Sequence, residues 1–300
     1  MFVPFFTKRS EDNKPLYRRK GGGGKGGGSS GGAKSSGGGG GGGGSARSSS
    51  ISSGGGSKSA TSYGGGGGRA ITIPSGQPFA GRSAGGGTRS QVAGTQTYGS
   101  GYPGLPARSV AGRGFPFFFW PLAWGGVAGV GTAAYLHDSE YGRFDNSSRP
   151  GGIMMTASFN SSSSQPTTFR LVADNTTVTS LITDIVANCT SANLASPGSI
   201  VATTYNDSLA SPKPEQVVQY YRASSVALSL DGYNDTAALA ADGTPDTPLP
   251  TNIDTTLLNC LNFTIAAAVP LVDSALPWAV PPTSGLLGIA YLVWSLSSLI

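Results

Sequence analysis

The sequence predicts a chain of four parts: a mostly disordered N-terminal third, a hydrophobic and helical segment, a small α+β domain, and a hydrophobic C-terminal tail. Three observations predict this class. Glycine is concentrated in residues 1–113, which hold 35 of the 48 glycines. Two uncharged apolar stretches lie at 114–136 and 274–300. Helical and strand periodicities alternate in residues 150–270, so this region has the sequence pattern of a folded domain.

Residues 1–113 are basic and of low complexity. They carry 15 Lys and Arg against two acidic residues, whereas the rest of the chain carries five against 13. Gly/Ser sequence loses the full backbone entropy on ordering and has little apolar surface to bury in return. We therefore predict a disordered region that acts as a spacer. No GxxxxGK[ST] motif and no RGG string occurs in it, which argues against phosphate cradling and RNA binding.

Residues 114–136 form the first hydrophobic segment. Their length suits a bilayer core of about 30 Å at about 1.5 Å per residue. The aromatic residues from Phe115 to Trp124 would form an interfacial belt at the basic end. Prolines interrupt the start, so the predicted helix runs from near Pro121 to about Leu136. Two interpretations stay open: a membrane-spanning signal anchor, or a buried or peripheral segment of an exported protein.

Residues 150–270 alternate between strand and helix patterns. Strands are predicted at 167–174 and 224–230, where apolar and polar residues alternate or cluster. Helices are predicted at 175–189 and 251–269, each with apolar residues three or four positions apart. A helical turn or short helix is predicted at 214–222.

The chain has two cysteines, Cys189 and Cys260. An even pair in an exported protein indicates one disulfide. It would close a loop of about 70 residues, which the chain-entropy model relates to about 4 kcal/mol of stability. The alternative is two buried free thiols.

N-glycosylation sequons indicate the compartment. Asn-X-Ser/Thr with X other than Pro occurs at seven of the ten asparagines after residue 113, and at none before it. This enrichment favours a lumenal or extracellular location for the C-terminal half. The seven candidate sites are Asn146, Asn160, Asn175, Asn188, Asn206, Asn234 and Asn262.

The C-terminal tail, 274–300, has the parts of a GPI-attachment signal. Asp273 and Ser274 are small residues suited to lipid attachment, a nine-residue spacer follows, and Gly285–Ile300 is hydrophobic to its end. A retained membrane anchor is the alternative. The opening "MFVPFFTKRS" does not have the pattern expected of a signal peptide, because its apolar run is short and basic residues follow rather than precede it. Residues 114–136, or a start further upstream, would then direct export.

The residues for common enzyme chemistry are sparse. His137 is the only histidine, and it lies at the margin of the hydrophobic segment. One His with two paired cysteines does not make an ordinary zinc site. The acidic residues are scattered along the chain. We therefore expect no catalytic site, no metal, no cofactor and no small-molecule substrate.

Three stretches carry a resemblance: "VAGRGFPFFFWPLAWGGVAGVGTAAYLHDSEYGRFDNSSRPGG", "PEQVVQYYRASSVALSLDGYND" and "LPTNIDTTLLNCLNFTIAAAVPLVD". They resemble a group of Gly/Ser-rich, sequon-bearing surface or secreted proteins of mushroom-forming (basidiomycete) fungi. The likeness covers roughly residues 70–275. Many members begin with a cleavable signal peptide, and here this chain departs from them. The resemblance implies a surface or secreted protein and no particular activity.

Together these observations predict a non-enzymatic, N-glycosylated protein of the membrane, cell surface or extracellular space. Its expected roles are wall structure, adhesion or shielding. Its expected partners are the membrane and wall polysaccharide or other surface proteins, and nucleic acid is not expected. The alternative is an intracellular protein whose basic Gly-rich arm binds nucleic acid or an anionic membrane.

Overall fold

A computed structural model of the 300-residue chain describes residues 45–102, 110–124, 139–240 and 244–274. Within these ranges the chain forms ten strands and two α-helices. The strands are β1 (Ser48–Ser53), β2 (Gly56–Thr61), β3 (Ile71–Thr72), β4 (Ser83–Ala84), β5 (Met154–Asn160), β6 (Thr168–Asp174), β7 (Thr203–Thr204), β8 (Val217–Tyr221), β9 (Val226–Leu230) and β10 (Leu271–Val272). The helices are α1 (Asn175–Cys189) and α2 (Thr255–Ala268).

The central element is a five-stranded antiparallel sheet with the order β7-β5-β6-β9-β8. Strand β6 lies in its middle, and its register with β9 pairs Leu171 with Leu228. Both residues are fully buried, as is their neighbour Phe169. The sheet therefore places a continuous apolar surface at the centre of the molecule, which excludes water on burial.

Helix α1 follows β6 directly, because Asp174 ends the strand and caps the helix. Its carboxylate accepts a hydrogen bond from the Thr177 backbone N–H at 3.0 Å, which satisfies one of the free donors of the first turn. Val178, Leu181 and Ile185 follow at helical spacing and are fully buried. Helix α1 packs against α2, β5 and β6. The predicted α+β class of this half is confirmed.

Aromatic residues from the first hydrophobic segment cover other parts of the core. Phe115, Phe117, Phe118, Phe119, Trp120 and Trp124 are all buried. Trp124 donates its indole N–H to the Tyr220 hydroxyl at 3.1 Å, and Phe79 packs edge-on against Trp120 at 4.8 Å between ring centroids. The prediction of an interfacial aromatic belt is therefore wrong for these residues. Their rings pack against the domain, where burial of a large apolar side chain is favourable.

Disorder throughout 1–113 is also wrong, because residues 45–102 are part of the fold. Strands β1 and β2 form a hairpin whose two-residue turn, Gly54–Gly55, has positive φ at both positions. Ile51 and Ala60 point inward and are buried. Strand β2 also pairs with β10 from the far end of the domain. The Ser/Gly composition gives little sign of these two strands, because Ile51 is the only apolar residue of β1 and Ala60 the only one of β2.

The predicted helical turn or short helix at 214–222 is present only as a short turn at its start, and a strand follows. Pro214–Gln216 make a 3₁₀ turn and β8 then pairs with β9. Val217 to Tyr221 are β-branched or aromatic apart from Gln219, and they fit a pleated surface once a partner strand is present. Helix α2 starts at Thr255, later than the predicted 251, and Asp254 is its cap.

Among the described residues, no helix combines the length and apolar character needed to cross a bilayer. The predicted helix from Pro121 to Leu136 and the tail 275–300 lie largely or wholly outside the described residues, as do residues 1–44.

Candidate functional surface: disulfide, sequons and domain end

The two cysteines lie on neighbouring helices. Cys189 is the last residue of α1 and Cys260 lies in the middle of α2, and their sulfurs are bonded across a Cα–Cα distance of 5.7 Å. Cys189 is fully buried. The predicted disulfide is confirmed, and it joins the two helices that cover one face of the central sheet.

Four of the seven sequon asparagines have exposed side chains. Asn160 ends β5, Asn175 begins α1, and Asn206 and Asn234 lie in loops. An exposed asparagine leaves room for a glycan, which is large and hydrated. These positions are separated along the domain, so glycans on them would cover several parts of its surface.

The other three sequon asparagines are half-buried. Asn188 donates its side-chain N–H to the Tyr63 hydroxyl at 3.1 Å. Asn262 accepts a hydrogen bond from the Tyr221 hydroxyl at 2.6 Å. The helical spacing of apolar residues in 251–269 predicts that Asn262 faces solvent, on the side opposite the apolar face. It is partly covered because Tyr221 belongs to β8, the strand whose formation the sequence pattern did not indicate.

Asn175 also lines a polar groove of about 630 Å³ between α1 and β1. The remaining lining residues are Arg47, Ser48, Ser49, Thr176, Thr179, Ser180 and Thr183. Arg47 is anchored by an ion pair with the fully buried Asp184. The groove therefore presents hydroxyl and amide groups with one fixed cation at its edge.

The candidate lipid-attachment residues lie at the end of the described domain. The Asp273 carboxylate accepts a hydrogen bond from the Gly66 backbone N–H at 2.8 Å. Ser274 donates its backbone N–H to the Gly66 carbonyl at 3.1 Å and its side chain is exposed. The chain is thus held to the domain up to Ser274. Residues 275–300, which include the rest of the predicted attachment signal, lie outside the described ranges.

Two buried charged groups, Arg222 and Asp174, are occupied by structural bonds. Arg222 is fully buried, with its guanidinium 2.7 Å from the Asp174 carboxylate and 3.4 Å from the Phe119 ring centroid. It also donates to the Pro270 carbonyl at 2.9 Å. Asp174 is simultaneously the cap of α1. These bonds connect the end of β6, the turn at Arg222, Phe119 and Pro270.

Two of the described acidic residues, Asp231 and Asp235, have different structural partners. Asp231 forms an ion pair with Arg170 at 2.7 Å, and Asp235 accepts backbone N–H groups from Ala237 and Thr247. Within the described ranges no group of three or more His, Cys, Asp or Glu side chains could hold a metal ion. His137 lies outside these ranges.

Comparison with protein-family models, with curated protein sequences and with solved structures finds no match to this chain.

Proposed function

We propose that this chain is a non-enzymatic, N-glycosylated protein of the cell surface or extracellular space, with a role in wall structure, adhesion or shielding. The observation that carries the proposal is the Cys189–Cys260 disulfide, in a domain that also exposes several sequon asparagines. Structural disulfides persist in oxidising compartments and are rare in the cytosol. N-glycans are added to proteins of the same secretory route, so the two features support one location.

Attachment to a membrane at Asp273 or Ser274 is the second part of the proposal. Strand β10 ends at Val272, and the hydrogen bonds of the next two residues to Gly66 close the described domain. A lipid attached there would leave the domain intact. An uncharged hydrophobic stretch follows in the sequence, as a GPI signal requires. The partners would be the membrane and neighbouring wall polysaccharide or surface proteins.

The test is the electrophoretic mobility of the protein from a glycosylating fungal host, before and after enzymatic removal of N-glycans. We expect a shift of several glycans. Asn206→Gln and Asn234→Gln should each reduce this shift by the contribution of one glycan. Asn259→Gln, on the exposed side of α2 and outside any sequon, is the matched control and should remove none.

The absence of any shift would overturn the proposal. The basic Gly-rich arm would then favour the intracellular alternative, binding to nucleic acid or an anionic membrane. Salt-dependent retention of the protein on DNA or on anionic vesicles would support that reading.

A further inference from the structure

A second cavity, of about 450 Å³, lies among residues near the aromatic segment. It is bounded by the end of β4, by the run Gly85–Gly87 and by Arg113 to Pro116. Its described lining residues are Ser83, Gly85, Gly86, Gly87, Gln91, Tyr102, Arg113, Gly114 and Pro116. This volume is within the range of small-molecule sites, about 300–1,000 Å³. None of the sequons, the cysteines or the domain end contributes to it.

Two hydrogen-bond donors on residues that line this cavity have no hydrogen-bond partner among the described residues. The Tyr102 hydroxyl and the Arg113 Nη1 are both buried and make no hydrogen bond. Tyr102 is 9% exposed, and the Arg113 guanidinium lies over its ring at 5.6 Å from the centroid. Buried donors without partners are rare in folded proteins, because each forfeits its bonds to water. Two such donors lining one cavity point to an acceptor that would satisfy both.

The electrostatics of the cavity favour an anion. None of its described lining residues is Asp or Glu. The nearby Glu140 is already bound to Arg82 and to the Gly112 backbone N–H. Burial raises the pKa of the Tyr102 phenol, so the hydroxyl stays protonated and can donate. Arg113 therefore brings a positive charge that no described carboxylate at the cavity wall neutralises.

The floor of the cavity is backbone held in place by aromatic packing. Gly85, Gly86 and Gly87 use their N–H groups for bonds to other backbone carbonyls. Gly85 has φ of +100°, and a side chain there would collide with the Phe118 ring. Glycine is therefore required at this position by the aromatic packing beside the cavity. Gln91, whose Oε1 accepts from Thr88 N–H at 3.0 Å, adds an amide group to the wall.

We propose that this cavity binds a small organic carboxylate, with the Arg113 guanidinium and the Tyr102 hydroxyl donating to its two oxygens. A planar guanidinium matches a carboxylate in geometry. A single cation matches its single negative charge better than the near-dianion of a phosphate. The rest of the ligand would be about the size of one ring, in contact with the glycine floor and Pro116. A sugar acid and an aromatic acid share this chemistry. The inference is independent of glycosylation.

The test is calorimetric titration of the full chain with glucuronate and with benzoate. Glucose and benzyl alcohol are the neutral counterparts, and sulfate is the inorganic anion. We expect one or both acids to bind, and the neutral compounds to bind at least about tenfold more weakly, since each lacks the charged hydrogen bonds. The acid that binds more tightly shows whether the ligand is a sugar acid or an aromatic acid.

Two variants test the residues. Arg113→Gln should weaken binding of the acid by roughly tenfold to a hundredfold. Arg143→Gln is the matched control, because Arg143 is an exposed arginine with its own partner, Asp145, and it should not change binding. Tyr102→Phe removes only the hydroxyl. Because that hydroxyl has no partner in the free protein, the variant should melt at the same or a higher temperature and yet bind the acid more weakly.

Four results would overturn the proposal. These are equal binding of acids and neutral counterparts, no binding of either acid at about 10 mM, competition by sulfate as effective as that of the acids, or an equal effect of the Arg143 variant. If Arg113→Gln does not fold, Tyr102→Phe decides the question: a lower melting temperature or unchanged binding would contradict the assignment.

Discussion

At the residue scale, the fold depends on a few buried polar groups that connect distant parts of the chain. Arg222 is the clearest case. Burial lowers its pKa to about 10, so it remains charged at neutral pH and needs Asp174 as its counter-charge. Arg222, Ala223 and Ser224 all have positive φ, a conformation that costs energy for residues other than glycine. The bonds of this buried turn to Asp174, Pro270 and Phe119 offset that cost.

We predict that Arg222→Met destabilises the domain by about 3–5 kcal/mol, because it leaves the Asp174 carboxylate buried without its counter-charge. Urea denaturation measures this difference. Arg143→Met is the control, since the Arg143–Asp145 pair is exposed and such pairs contribute about 0–1 kcal/mol. Equal effects of the two variants would contradict the role assigned to Arg222.

Asp254 gives a prediction about pH. Its burial raises the pKa of the carboxyl, but hydrogen bonds from Ser161, the Leu257 N–H and Asn193 outweigh this, and the pKa is lowered overall. A folded-state pKa below the unfolded value gives stability that is fully present above the unfolded pKa, about 3.9. That stability is lost as the pH falls through the folded pKa.

We therefore expect Asp254→Asn to be less stable than the wild type at pH 7, by about 1–2 kcal/mol. The difference should shrink at acid pH, where the wild-type carboxyl is also neutral. Denaturant midpoints at several pH values measure it. A difference that stays constant from neutral to acid pH would show that the charge of Asp254 does not contribute.

At the scale of elements, the helices and some strands could be predicted, whereas the other strands could not. Helix α1 and strand β6 follow from local signals: apolar periodicity and an aspartate cap. The disulfide and the sequons could also be predicted, because the number of cysteines and the Asn-X-Ser/Thr motif can be read from the sequence directly. The β1–β2 hairpin pairs with β10, which lies far away in sequence. Strand β8 has its partner β9 just beyond the short turn 222–225, but its own residues carry no clear alternation of apolar and polar side chains. The cavity at Tyr102 and Arg113 was missed because it lies in the region predicted to be disordered.

The β1–β2 hairpin should therefore be an integral part of the domain. Ile51 is 2% exposed, and Ile51→Ser removes its apolar group and buries a hydroxyl. We expect a loss of about 2–5 kcal/mol in the free energy of unfolding. Val201→Ser, at a position 65% exposed, is the control and should change stability by no more than about 0.5 kcal/mol. If Ile51→Ser is equally neutral, the hairpin does not contribute to the core.

The Cys189–Cys260 disulfide, which joins α1 to α2, gives a further prediction about stability. Cys260→Ala opens a loop closed across 71 residues, and we expect a loss of about 2–5 kcal/mol. The measurement is urea denaturation with and without a reductant. The wild type should lose stability on reduction and the variant should not. A wild type that is insensitive to reductant would show that the bond contributes nothing to stability.

At the scale of the whole molecule, charge and modification are distributed unevenly. Residues 1–113 are strongly basic and residues 114–300 are acidic, yet the described part of the first region packs with the second in one core. The boundary in composition is therefore not a boundary of the fold. Sequons occur only in the acidic part, so any N-glycans would lie on that part of the molecule.

The most direct test of the central claim is peptide mapping by mass spectrometry, on protein from a fungal host, digested without reductant. N-glycans are removed enzymatically in ¹⁸O-water, so that each formerly glycosylated asparagine becomes a labelled aspartate. We expect labels at Asn160, Asn175, Asn206 and Asn234, together with a linked peptide pair containing Cys189 and Cys260. Unlabelled asparagine at all seven sequons and two free thiols would contradict an extracellular glycoprotein.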